Sequence, residues 1–148
     1  MYALQFLVPL GWIETVGPML PIAILTLAVG NIVTRLMSHR TQKQQVEQTG
    51  DDGLSRYPPH VFTTTGLVIL GLLFTVYRPT SGMILMLPVI GVFITDFFEY
   101  ESRAVEARND MTFERPKAGI AISLLVLVYA AYYSLPFLYE PLLDALLV

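Results

Sequence analysis

The chain has 148 residues, of which 54 % are hydrophobic and 14 % charged, against roughly 25 % charged in an ordinary soluble domain. That leaves too little polar surface for a water-soluble fold, and a net charge of -3 with scattered basic residues gives no nucleic-acid patch. Cysteine is absent, which excludes disulfides, thiolate metal sites, cysteine-ligated clusters and a cysteine nucleophile.

The length suits one integral membrane domain, 1–148. Residues 1–12 are apolar apart from Gln5 and break at Pro9 and Gly11. The start lacks the Lys/Arg-rich region of a secretory leader, so this segment is expected to stay and to lie in the outer membrane interface.

A charge at the bilayer centre costs a few kcal/mol, so uncharged stretches mark the spans. Four of them predict helices over about 16–37, 58–77, 82–98 and 117–138. Each approaches the roughly 20 residues that cross the hydrocarbon at about 1.5 Å per residue. The run Gly66 to Val76 has no polar face, which argues against a soluble bundle. Alternation is missing, which argues against a barrel. The predicted fold is all-α, a four-transmembrane-helix bundle with short interfacial segments at both ends.

Between the first two spans, Thr41 to Gly53 contains one aliphatic residue, Val46, too little apolar area to offset ordering. A mobile cytoplasmic loop is expected over 41–57. The turn Arg78 to Gly82 is short enough to force an antiparallel hairpin. Beyond the third span, Asp96, Glu99, Arg103, Glu106 and Asp110 recur at helical spacing and predict a helix reaching about Arg108 or Asn109. The stripe reads as a solvated face rather than as a docking face or cation site. After Pro141, Leu142, Leu143, Leu146 and Leu147 share one helical face, as in a second interfacial segment.

Eight of the nine basic residues border the two long connections, and only Arg78 lies on the other side. The positive-inside tendency then places both connections in the cytoplasm and both termini outside.

Candidate site residues are few. Asn31 is the most polar side chain inside a span and is expected to make an interhelical hydrogen bond. Asp96 is expected to pair with Arg35 or Lys117 at matching depth. Small residues four apart, Thr26, Gly30 and Thr34, Gly71 with Thr75, Gly91 with Thr95, Gly119 with Ser123 and Ala130 with Ser134, are expected to let helices approach closely. Tyr129, Tyr132, Tyr133 and Phe137 form an aromatic cluster that fits either a ligand pocket or outer-belt packing. His39 and His60 lie at the cytoplasmic span ends, an arrangement unsuited to paired haem ligation. No catalytic, cofactor-binding or metal-binding residues are predicted.

The segments Thr95-Asp96-Phe97-Phe98-Glu99, Val105 to Asp110 and Glu114-Arg115-Pro116-Lys117-Ala118, with Phe6 to Leu10 and Asn31 to Arg35, carry a resemblance. The chain resembles, over nearly its whole length, an uncharacterised family of short four-span membrane proteins of salt-loving archaea. That resemblance implies a plasma-membrane protein and no activity, ligand or catalytic residue. The expected function is a non-enzymatic accessory or scaffold subunit, contacting the lipid bilayer and another membrane protein or a second copy of itself. The alternative is a small transporter or channel component using the polar residues within the bundle.

Overall fold

The computed structural model describes residues 10–147, with the side chains of Leu10, Gly11 and Phe137 to Tyr139 left undescribed. The expected interfacial segment at 1–12 therefore lies almost wholly outside the described residues, as do the side chains of Phe137 and Tyr139.

A short helix α1 (Leu10–Val16) runs through a 3-10 turn (Gly17–Met19) into α2 (Leu20–Thr49). A second 3-10 turn (Asp51–Gly53) leads to α3 (Pro58–Tyr77), followed by α4 (Pro79–Arg108) and α5 (Lys117–Leu147). No strand occurs among the described residues. The long helices are all-α in the expected sense, and four of them are long and apolar enough to cross a membrane.

Proline sets several starts. Pro21, Pro58 and Pro79 stand in the first turns of α2, α3 and α4, where a missing N–H costs nothing and the fixed φ favours a helix. Glycine and aspartate set the stops. Gly50 ends α2 at φ 79°, and Asp110 beyond α4 takes φ 53°, a left-handed value that aspartate tolerates better than bulky residues.

The backbone packs in neighbouring pairs, α2 on α3, α3 on α4, α4 on α5 and α5 on α2, while the diagonal pairs scarcely meet. This is a square bundle. Each helix faces the axis with residues spaced alternately four and three, as in left-handed packing. The seams are Ile24, Ala28, Asn31, Arg35, Ser38 and Gln42 on α2, and His60, Thr64, Leu67, Gly71 and Phe74 on α3. On α4 the same spacing runs Leu85, Val89, Val92, Asp96, Glu99 and Arg103, and on α5 Gly119, Ser123, Val126 and Ala130. Every seam changes from apolar to polar toward the end that carries the two long connections.

Two expectations are corrected here and one is refined. Residues 41–49, read as part of a loop, continue α2 to Thr49. Gln42 holds the Ser55 carbonyl at 3.0 Å, and Gln45 bonds both the Ser55 hydroxyl and its N–H, at 3.1 Å each. Backbone ordering there is offset by these bonds rather than by apolar burial. The α3–α4 hairpin is as expected, but tighter, with α4 starting at Pro79 and only Arg78 between the helices. The tail is no separate segment, because α5 continues through Pro136 and Pro141 to Leu147.

Candidate functional site: a polar network at one end of the bundle

Where the seams turn polar, one network joins all four long helices. Arg35 is 0 % exposed, although its side chain is the largest fully buried one. Its guanidinium reaches from α2 across the axis to α4, with Nη2 2.6 Å from Asp96 Oδ1 and Nη1 donating to Glu99 Oε2 at 2.6 Å. Nη2 also lies 3.2 Å from Asn31 Oδ1 and 3.3 Å from Ser123 Oγ. Burying an unpaired guanidinium would be prohibitive, so two carboxylates and two neutral acceptors around one arginine are what make its position tenable.

Asn31 closes the other contacts. Its amide donates to Thr63 Oγ1 at 3.1 Å and Thr64 Oγ1 at 2.9 Å on α3, while its carbonyl oxygen accepts from Ser123 Oγ at 3.0 Å on α5. Thr64 in turn donates to Asp96 Oδ2. His60 bridges α2, α3 and α4, with Nδ1 2.9 Å from the Thr34 hydroxyl and Nε2 3.1 Å from Asp96 Oδ1. One helical turn further along α4, Arg103 donates to Gln42 Oε1 at 2.8 Å and stands 3.9 Å from Glu99.

The network gathers Asn31, Arg35, Thr34 and Asp96 from the residues marked by sequence, and leaves out Lys117, which is exposed. Of the two partners expected for Asp96, Arg35 is the one in contact. The stripe from Asp96 to Arg103 is not a solvated face, because Arg103 is buried and Asp96 and Glu99 are mostly covered. It continues the inward seam of Leu85, Val89 and Val92 at unchanged phase. His60, Glu99, Arg103 and Ser123 were noted but given other roles, and Gln42, Thr63 and Thr64 were missed; for all but Thr63 that shared spacing is the signal that would have found their place.

The glycines sit at close approaches. Gly30 faces Thr63, Gly71 faces Met86, and Gly91 faces Ile122. Gly119 lies so near the Arg35–Glu99 pair that a Cβ there would collide with both side chains. Thr26 is different, being exposed and bonded to its own helix through the Ile22 carbonyl at 2.9 Å.

His60, Asp96 and Glu99 offer three ligand atoms within 4.8 Å of one another, the right donors for a divalent cation. Arg35 already bridges both carboxylates, so a cation would have to displace a buried guanidinium or share oxygens with it. Ser123 donates to an amide oxygen rather than to a base, so it is not an activated nucleophile. Besides the two arginines, the ionisable side chains of the network are His60, Asp96 and Glu99.

The opposite half of the bundle is apolar. Ile24, Ala28, Leu67, Val89, Val92 and Val126 are at most 1 % exposed and stand between the network and the tyrosines. Among the described buried polar side chains only Ser134 lies on that half, bonded back to the Ala130 carbonyl at 2.7 Å. There Tyr133 packs against Tyr129, Tyr132 and Phe74, with ring centroids 4.7, 5.2 and 5.7 Å away. An open cavity of about 590 Å³ lies beside them, walled also by Pro18, Pro21 and Tyr77.

No curated protein and no solved structure matches the chain. One family profile does, over residues 2–147, that of DUF7313, described as a domain of unknown function. A match over nearly the entire length shows the relationship, and the chain belongs to the DUF7313 family.

Proposed function

We propose that this is a multi-pass plasma-membrane protein with both termini outside, serving as a non-enzymatic accessory or scaffold subunit of a membrane complex. The carrying observation is the bundle interior. Its charges are consumed by internal pairing, and a layer of at most 1 % exposed apolar side chains closes the axis beyond them. A conduction path needs polar or hydrated lining along its length, and a catalytic site needs an activated group facing a substrate.

Orientation follows from exposed charge. Arg35 and Arg103 are buried in the network, so they do not act as loop charges. The exposed basic residues are Arg40, Lys43, Arg56, Arg108, Arg115 and Lys117 at the long connections, against Arg78 at the hairpin. That asymmetry supports cytoplasmic connections. The four-span layout and the acidic balance of -3 suit the salt-loving archaeal source that the sequence resemblance suggests.

The ionisable cluster of His60, Asp96 and Glu99 favours the second reading, a transporter component. Reconstitution into liposomes carrying a trapped pH or cation dye separates the two. A subunit gives no flux alone and migrates within a larger particle when native membranes are extracted gently. Flux that Asp96→Asn abolishes would overturn the subunit reading.

A further inference from the structure

A cleft of about 240 Å³ opens between α3 and α4 beside the network. Its floor is polar, with Ser38, Gln42 and Arg103 from the buried seams and His60 at the side. Its walls are Tyr57, Phe93, Phe97 and Tyr100, and Val61, Phe93 and Phe97 are exposed on the outer surface of the bundle. The cleft therefore joins a polar interior to an apolar exterior, the profile of a site for an amphipathic molecule.

Charge decides what kind. Asp96 and Glu99 line the cleft, but each is held at 2.6 Å by Arg35. Counting Arg35, Arg56 and Arg103 against those two carboxylates leaves one positive charge in excess. The surplus stands at the mouth. Arg56 is exposed and makes no ion pair among the described residues, stacking instead 4.3 Å over the Tyr100 ring and 5.9 Å from that of Phe97. A contact with the ring face holds the guanidinium without occupying it in an ion pair, which leaves its N–H donors for a phosphate. On the floor, Arg103 spends one donor on Gln42, with Glu99 at 3.9 Å, beyond hydrogen-bond reach.

We propose that this cleft binds a phospholipid of net negative charge, its phosphodiester held between Arg56 and Arg103 and its apolar chain lying over Val61, Phe93 and Phe97. At about 30 Å³ per water-sized group, the space takes roughly eight such groups, enough for a phosphodiester and a short polar extension. The inference rests on the bilayer reading, since Tyr57 and Tyr100 then lie at the membrane surface where headgroups are. It does not require the subunit role.

The test uses the purified full chain in neutral detergent, with thermal unfolding followed as phosphatidylglycerol, phosphatidylcholine or inorganic phosphate is added. Phosphatidylglycerol is expected to raise the unfolding midpoint by several degrees, and phosphatidylcholine is not. Arg56→Gln should weaken the phosphatidylglycerol response about tenfold, Arg56→Lys much less, and Arg40→Gln, at an exposed arginine outside the cleft, not at all. A response to phosphatidylglycerol alone assigns the site to a lipid headgroup. An equal, Arg56-dependent response to inorganic phosphate would overturn the lipid assignment, since phosphate has no chain to lie over Val61, Phe93 and Phe97. Equal stabilisation by both lipids, no stabilisation by any additive, or an equal loss in Arg40→Gln would overturn the proposal.

Discussion

Asp96 stands between Arg35 at 2.6 Å, His60 at 3.1 Å and the Thr64 hydroxyl, so its charge is compensated from two helices at once. Asp96→Asn keeps the shape and removes the charge, leaving Arg35 with Glu99 as its one ionic partner. A loss of about 3 kcal/mol is expected, measured by unfolding in detergent. Adding Arg35→Gln should then cost less than the sum of the single changes, because the two residues are in contact. Strict additivity would mean that the pair contributes nothing. Gly119→Ala is a separate test of packing. Its new methyl meets Arg35 and Glu99, and the expected loss is about 2 kcal/mol without any change of charge. At this scale the sequence was legible where a residue is anomalous in its span, as Asn31 and Asp96 are. Thr63 and Thr64 escaped notice, and Ser123 was read for its size alone, because hydroxyls are ordinary in apolar helices and acquire meaning only from what faces them.

The long helices outlast the apolar runs that announce them. For α4 this was expected from the ionic stripe, and the helix indeed reaches Arg108. For α2 it was not, because the stretch after Arg40 has no apolar periodicity and its order comes from Gln42 and Gln45 holding Ser55. Spin labels placed singly along 99–109 are expected to show helical periodicity in accessibility, with minima at Arg103 and Ala107, the buried positions. Uniform mobility would mean that the helix ends at the membrane surface. Gln42→Ala should free both Arg103 and the Ser55 carbonyl, and is expected to raise hydrogen exchange over 50–57 while leaving the apolar half unchanged. The heptad spacing was in the sequence throughout. It went unread because hydrophobic content marks a membrane helix without marking which side faces its neighbours, and only polar residues carry that information here.

For the whole molecule, the number and order of the long helices followed from composition, since charges punctuate an otherwise apolar chain. The contact of Arg35 with Asp96 was one of two expected from matching depth, but its place on the diagonal was not, because nothing local says that α2 and α4 stand opposite each other. In the proposed topology, single cysteines at the exposed positions Gln44 and Ser102 should resist an impermeant maleimide in intact cells, while one at Thr80 reacts. The reverse pattern would invert the orientation. The same diagonal has a consequence for biogenesis. Arg35 and Glu99 are 64 positions apart, so at about 5–20 residues per second the arginine emerges several seconds before its carboxylates exist. During that interval α2 holds an uncompensated cation near the end of its apolar stretch, able to stay close to water until α4 arrives. Arg35 is thus matched only once the hairpin of α3 and α4 has been delivered. A chain stopped after α3 would present an unmatched arginine, the kind of feature by which membrane quality control distinguishes an unfinished bundle from a finished one.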